Sequence, residues 1–378
     1  MMPSKEKIFE SLLQLMSLEL IRPVDLEIDW SDQETIHAFV NQAERSGVAS
    51  WCFYRLLQNP ENKSAHPELM ARLKQRYLAV LIDNQQKLKL FREIEKILAS
   101  HDIPVALLKG MAMAFTVYPE EALRPMGDLD ILVPEHLVLK ARDVLLSAGC
   151  QSVHIPMSEW HEQHNAHIRA MRLPPHKYLI EIHSKLYATG SRLQPAQMAW
   201  EQSVVHRSTA FGNFPVLDYS LMVYHLASHL YYGYMMGGVR LGWLVDIAMV
   251  FEKAGDVAVL MEALLKINPG FNKELLITVG WATRLMRVEK RQQLEKWESS
   301  FTDFPEIKDF LEQQDAEVRH RWIVLKNLWR TPGINNKVKG AFYQLFPSRE
   351  YMAHYYGVNG GKGLWKAYLK RLGEGRMG

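Results

Sequence analysis

Cysteine is nearly absent. Cys52 and Cys150 are the only two in 378 residues, which excludes a disulfide framework and any cysteine-rich zinc module. Both read as reduced, buried thiols. A charge excess is missing too. Lys and Arg number 45 against 42 Asp and Glu, a balance of +3, too small to point to a nucleic-acid partner by charge alone. Long apolar runs are lacking. LGWLVDIAMVF is among the longest, is about half the length of a membrane-spanning helix, and contains Asp246. The opening MMPSKEKIFESLLQLM has no continuous apolar segment and no small-residue cleavage site, so no leader is expected. There is no fixed-period repeat and no low-complexity tract. With 48% hydrophobic and 23% charged residues, the composition is that of a globular protein with a sizeable core. The expectation is a cytoplasmic protein without membrane association.

Periodicity divides the chain into four regions. Residues 1–102 read as helical, with HPELMARLKQRYLAVLIDNQQKLKLFREIEKILAS as one long amphipathic helix. Leu69, Leu73, Tyr77, Leu81, Leu88, Phe91, Ile94 and Leu98 would form most of its buried stripe. Residues 103–215 change character. IPVALLKG reads as a buried strand, MAMAFTVYPEEA as a helix ending near Pro119, DLDILV as a strand and EHLVLKARDVLLSAG as a helix stopped by Gly149. CQSVHIP, HIRAMRLP and HKYLIEIHSKLY follow as three more strands. Residues 216–330 return to helix, and residues 331–378 form a basic, Gly-rich end with scattered aromatics. The expected class is α+β, with a small mixed-sheet core flanked by N-terminal and C-terminal helical regions.

The chemistry centres on LRPMGDLDILVPEH. Strand side chains alternate between faces. Asp128 and Asp130 therefore share one face, with Leu129 and Ile131 on the other. Two carboxylates about 6–7 Å apart along a strand do not both stay ionised cheaply without a cation. Mg²⁺ suits them, because it takes oxygen ligands and keeps places for substrate phosphates. YLIEIHSKL supplies a third carboxylate, Glu181, in an otherwise apolar strand with His183 on the same face. The alternative is a D-x-D that merely marks a turn or a strand end at the surface.

LLKGMAMAFTVYPEEALRPMGDLDILV, followed by YLIEIHSKLY and YHLASHL…RLGWLVDIAMVF, resembles the bacterial uncharacterised nucleotidyltransferase family of the polymerase-β-like superfamily. The likeness covers about residues 30–260, and its most specific feature is Lys-Gly, Arg-x3-Asp-x-Asp and Glu-x-His in that order. Lys109-Gly110 stands where the superfamily usually has a Gly-Gly or Gly-Ser pair closer to its D-x-D. The resemblance implies that Asp128 and Asp130 bind Mg²⁺, or alternatively Mn²⁺, with Glu181 as third ligand or proton acceptor. It implies that Gly110 admits the backbone to the triphosphate of an NTP, and that Lys109 and Arg124 neutralise its phosphates. For Lys109 the alternative is a solvated strand-end lysine. For Arg124 it is a salt bridge to Glu120 or Glu121. The implied reaction transfers a nucleoside monophosphate to a hydroxyl-type acceptor and releases pyrophosphate. The acceptor, whether small molecule, peptide or protein, is not specified by sequence, and nucleic acid is not expected.

Other polar clusters carry less specific signals. His154, His161, His164 and His167 lie close in sequence, as zinc ligands or as surface or substrate-contact residues. His225 and His229 share a helix face, with Arg240 and Asp246 following. They read either as a metal-dependent phosphohydrolase site or as a buried cluster lining the cleft. Tyr231, Tyr232, Tyr234, Met235 and Met236 read as core rather than as a nucleobase platform. The end, KGLWKAYLKRLGEGR, reads as a solvated amphipathic helix, with contact to RNA or an acidic partner as the alternative. A further possibility is a catalytically silent binding module on the same fold.

Overall fold

The structure, a computed structural model, describes residues 4–18, 30–58, 66–153, 159–195, 198–236, 238–301, 321–358 and 361–373. Helices α1 (Lys5–Met16), α2 (Gln33–Arg45), α3 (Ala49–Leu57) and α4 (Pro67–Ala99) open the chain. The Asp32 carboxylate caps α2 by accepting from the Glu34 and Thr35 amides at 3.3 and 3.1 Å. Leu69, Leu73, Phe91, Ile94 and Leu98 of α4 are buried, as helical spacing predicts. The same stripe also buries Asn84 and Lys87.

Mixed structure follows: β1 (Ala106–Leu107), α5 (Lys109–Thr116), β2 (Leu129–Leu132), α6 (Val138–Ser147), β3 (Gln151–Ser152), α7 (Glu159–His164), β4 (Met171–Arg172), β5 (Ile180–His183), β6 (Val204–Thr209) and β7 (Gly212–Leu217). The chain ends in helices α8 (Tyr219–Met236), α9 (Leu241–Lys253), α10 (Val257–Ile267), α11 (Asn272–Leu285), α12 (Arg321–Arg330), α13 (Ile334–Leu345), α14 (Arg349–Tyr356) and α15 (Gly361–Gly373). The α+β class with flanking helices is thus the one the sequence predicts. Among the described residues no helix is long and apolar enough to cross a membrane.

The chain forms two compact units, each built from three segments. One comprises Met1–Leu88, Leu108–Met126 and Glu201–Val318; the other comprises Lys89–Leu107, Gly127–Trp200 and Arg319–Gly378. The second unit holds β3, β4, β5, β2 and β1 side by side in that order. The β2–β5 pair is parallel, and the β1–β2, β3–β4 and β4–β5 pairs are antiparallel. Leu129, Ile131, Leu132, Ile180 and Ile182 are buried in this sheet. In the first unit β6 and β7 form an antiparallel hairpin turning at Ala210-Phe211.

Several elements differ from expectation: the strands expected over CQSVHIP, HIRAMRLP and HKYLIEIHSKLY shorten to Gln151–Ser152, Met171–Arg172 and Ile180–His183, and α13, α14 and α15 fill much of the 331–378 end. The strand expected over IPVALLKG shortens to Ala106–Leu107, and Lys109-Gly110 opens α5 instead of closing the strand. The hairpin over 204–217 was not anticipated. β6 is polar and half-exposed, and β7 carries Gly212 and Pro215, both weak strand residues.

Candidate functional site

The strongest convergence of polar side chains lies in the second unit, on the parallel strands β2 and β5. Their register sets Asp130 beside Glu181 and Leu132 beside His183. Alternation puts Asp130, Glu181 and His183 on one face, while Ile131 and Ile182 occupy the other. His183 Nε2 lies 2.9 Å from Asp130 Oδ1 and 3.6 Å from Glu181 Oε2. Each of the three residues offers one ligand atom, and these atoms lie within 4.8 Å of one another. Among the described residues this is the one group of three or more His, Cys, Asp or Glu placed to hold a metal ion. Exposure is graded: the His183 side chain is 2% exposed, Asp130 12% and Glu181 21%. Glu181 is therefore the most solvent-accessible of the three.

Two carboxylate oxygens and one imidazole nitrogen make a donor set that suits a divalent cation. The oxygens serve Mg²⁺ or Mn²⁺, and the nitrogen favours the transition ion of the two. The set differs from the expected trio by one member. His183, expected in the cleft, completes it, while Asp128 lies outside it. Asp128 stands half-buried just ahead of β2, one alternation step from Asp130.

The residues expected to meet phosphate belong to the first unit. Lys109 begins α5 with φ 45°, a left-handed backbone that costs a lysine roughly 1–2 kcal/mol. Gly110 has a packing requirement of its own: a Cβ there would stand 2.8 Å from Met126 Cβ. Arg124 donates from Nε to both carboxylate oxygens of Asp246, at 2.7 and 2.9 Å. It also donates to the Pro125 carbonyl. Its partner is therefore Asp246 and neither Glu120 nor Glu121, which accept from Tyr77 and Gln85 instead. Asp246 is wholly buried on α9 and takes a third bond, from Tyr118 Oη at 2.8 Å. Burial, reinforced by the Asp246 charge, pushes the Tyr118 phenol well above its ordinary range, so Tyr118 stays a donor.

Asn84 and Lys87 were missed in the sequence. Asn84 Nδ2 donates to the Glu121 and Arg124 carbonyls at 2.7 and 2.9 Å, and Lys87 Nζ donates to the Met126 carbonyl at 3.0 Å and pairs with Asp83. Together they fix the 121–126 segment. The signal was available, because both occupy stripe positions of an amphipathic helix where apolar residues are expected.

The remaining candidates separate. His225 is buried on α8, and the His229 ring meets Trp243 edge-on at 4.4 Å. Arg240 is exposed at the N-cap of α9. These residues and Asp246 form no metal group among the described residues. The buried-cluster reading describes Asp246, and the phosphohydrolase reading loses its third ligand to Arg124. His154 lies outside the described residues. His164 stacks on Trp160 at 4.1 Å, and His167 stands 5.0 Å from the His183 ring; neither joins a metal group.

Among solved structures, the chain is similar to one described as an antigenic nucleotidyltransferase-like protein from Paracoccidioides brasiliensis. The identity is 14% and the TM-score 0.27, over 53% of this chain and 92% of that one. No curated protein matches the sequence. The family described as uncharacterised nucleotidyltransferase matches residues 32–272, well over half of the 378 residues. The chain belongs to that family, and its Asp130, Glu181 and His183 lie within the matched region.

Proposed function

We propose that this protein transfers a nucleoside monophosphate from an NTP to a hydroxyl-type acceptor, with a divalent cation held by Asp130, Glu181 and His183. The observation that carries the reading is the meeting of these three ligand atoms on adjacent parallel strands. A bound Mg²⁺ or Mn²⁺ supplies positive charge against the phosphate oxygens, where an in-line displacement builds negative charge. Within the site, His183 Nε2 lies 2.9 Å from Asp130 Oδ1, a hydrogen bond that both atoms would give up to a bound cation. Glu181, the most accessible of the three, is placed to accept the proton of the attacking hydroxyl. The acceptor oxygen forms a bond to the α-phosphorus as its bond to the bridging oxygen breaks, and pyrophosphate carries the electron pair away. Asp128 lies outside the group of three, and its role as the D-x-D partner of Asp130 rests on the motif order. The phosphate-binding roles of Lys109 and Gly110 rest on their place in the motif order. Arg124, engaged by Asp246, serves as a structural anchor.

The test is incubation with NTPs labelled at the α-phosphate, Mg²⁺ or Mn²⁺, and sugars, peptides or the protein itself as acceptors. Label transfer that falls at least about a hundredfold in Asp130→Asn or Glu181→Gln supports the reading. NTP binding that raises the Tm, with no transfer to any acceptor, would favour a silent nucleotide-binding module. Absence of both effects would refute nucleotide chemistry at this site.

A further inference from the structure

The C-terminal helices carry a second feature, separate from the site. Residues 321–378 hold eleven Lys and Arg against two Glu, a net charge of +9 in a chain whose total is +3, so residues 1–320 carry −6. On α13, Ile334, Val338 and Phe342 repeat at i, i+4 and i+8 and form one narrow stripe. They are 78%, 64% and 55% exposed. Trp329, at the end of α12, is 78% exposed, and Lys337 Nζ lies 5.1 Å from its ring centroid. On α15, Trp365 and Leu369 form a shorter stripe and are 65% and 54% exposed. Lys326, Arg330, Lys339, Lys366 and Lys370, close to them in sequence, are exposed as well.

The outward stripe is not a loose face that could simply turn inward. The other side of α13 is already used. At Gly340 the backbone approaches so closely that a Cβ would stand 2.4 Å from Leu328 and 2.6 Å from Trp160. On α15, Ala367 and Arg371 are the buried positions. Large apolar side chains are thus held outward among lysines and arginines, where a solvated helix would show polar residues.

We propose that this surface docks peripherally on an anionic membrane. The aliphatic and aromatic side chains would enter the boundary between headgroups and acyl chains, and the surrounding cations would face lipid phosphates. Charge selects among the occupants. A second copy meeting this face would set its exposed Lys326, Arg330, Lys339, Lys366 and Lys370 against like charges. Nucleic acid matches the cations and the tryptophans but gives no role to Ile334, Val338 and Leu369, which neither stack nor pair with phosphate. An anionic lipid surface answers both the charge and the aliphatic stripe. The expectation of a merely solvated tail changes accordingly.

The test uses the 378-residue chain with vesicles of phosphatidylcholine alone or mixed with phosphatidylglycerol. Flotation with the mixed vesicles only, weakened by added salt, is expected. Val338→Glu with Phe342→Glu, both at exposed positions, should abolish it while the circular-dichroism spectrum stays that of the parent. Lys326→Gln and Lys339→Gln should each lower partitioning about fivefold, the factor for one basic residue near an anionic surface. Absence of flotation by the unmodified chain, or undiminished flotation of the double glutamate variant, would overturn the proposal. So would retention on single-stranded RNA that ignores the glutamates, or a solution dimer that they dissociate; these would give the surface to nucleic acid or to a second copy.

Discussion

Replacing Arg124 by Met decides whether this arginine holds the fold or the substrate. Asp246 is wholly buried, and its carboxylate takes its charge-assisted bonds from Arg124, whose side chain is 13% exposed. Removing one partner of a buried ion pair costs about 3–5 kcal/mol, because the other charge is left without compensation. Tyr118 still donates to Asp246 at 2.8 Å, and a bond to a charged group offsets some 1–2 kcal/mol of that loss. The expected cost is therefore about 1–4 kcal/mol, read from urea unfolding at neutral pH. Asp246→Asn keeps the shape and an acceptor for Tyr118 while removing the buried charge, so in the Arg124→Met background it should recover about 1–3 kcal/mol. A purely phosphate-binding Arg124 predicts the opposite pattern: stability unchanged and NTP affinity reduced. A cost under about 1 kcal/mol, or strictly additive effects in the double variant, would refute the anchoring role.

Two further outcomes follow from geometry elsewhere. Burial, with a smaller push from nearby Lys185, holds the His164 imidazole below its ordinary value of 6.5. The unfolded chain therefore takes up that proton first on acidification, so stability should fall as pH drops below 6.5; His164→Gln should flatten the Tm between neutral and mildly acid pH. Gly190 has φ 83°, and a Cβ on it would stand 2.2 Å from the Asn327 carbonyl oxygen. Gly190→Ala should cost about 2–4 kcal/mol, combining left-handed strain with overpacking, and a thermal melt within a degree of the parent would contradict that contact.

Strand alternation made the heart of the site legible. Asp130, Glu181 and His183 each interrupt an apolar run at the period-2 spacing, and such charge in a buried strand has few reasons to be there. The long helix α4 and helices α8 to α11 were legible for the same reason, through helical periodicity. Contacts made across long sequence distances were not. Arg124 and Asp246 are separated by 122 residues, and nothing local to Arg124 distinguishes Asp246 from the nearer Glu120 and Glu121. The replacement of Asp128 by His183 in the ligand group depends on the β2–β5 register, which periodicity leaves open. The weave of the two compact units, each taking three separated segments, likewise has no local signature. Lys109 shows the limit most simply: a strand-end lysine and a helix start at φ 45° share the same sequence.

In the proposed reaction Asp130, Glu181 and His183 hold a divalent cation for nucleotidyl transfer. Titration of the full chain with Mn²⁺, followed by the electron paramagnetic resonance of the free ion, tests it without depending on the unknown acceptor. Saturable binding is expected, which Mg²⁺ competes away at higher concentration and Asp130→Asn or His183→Gln weakens at least about tenfold. Mn²⁺ binding of equal strength in the parent and both variants would place the ion elsewhere and contradict the account.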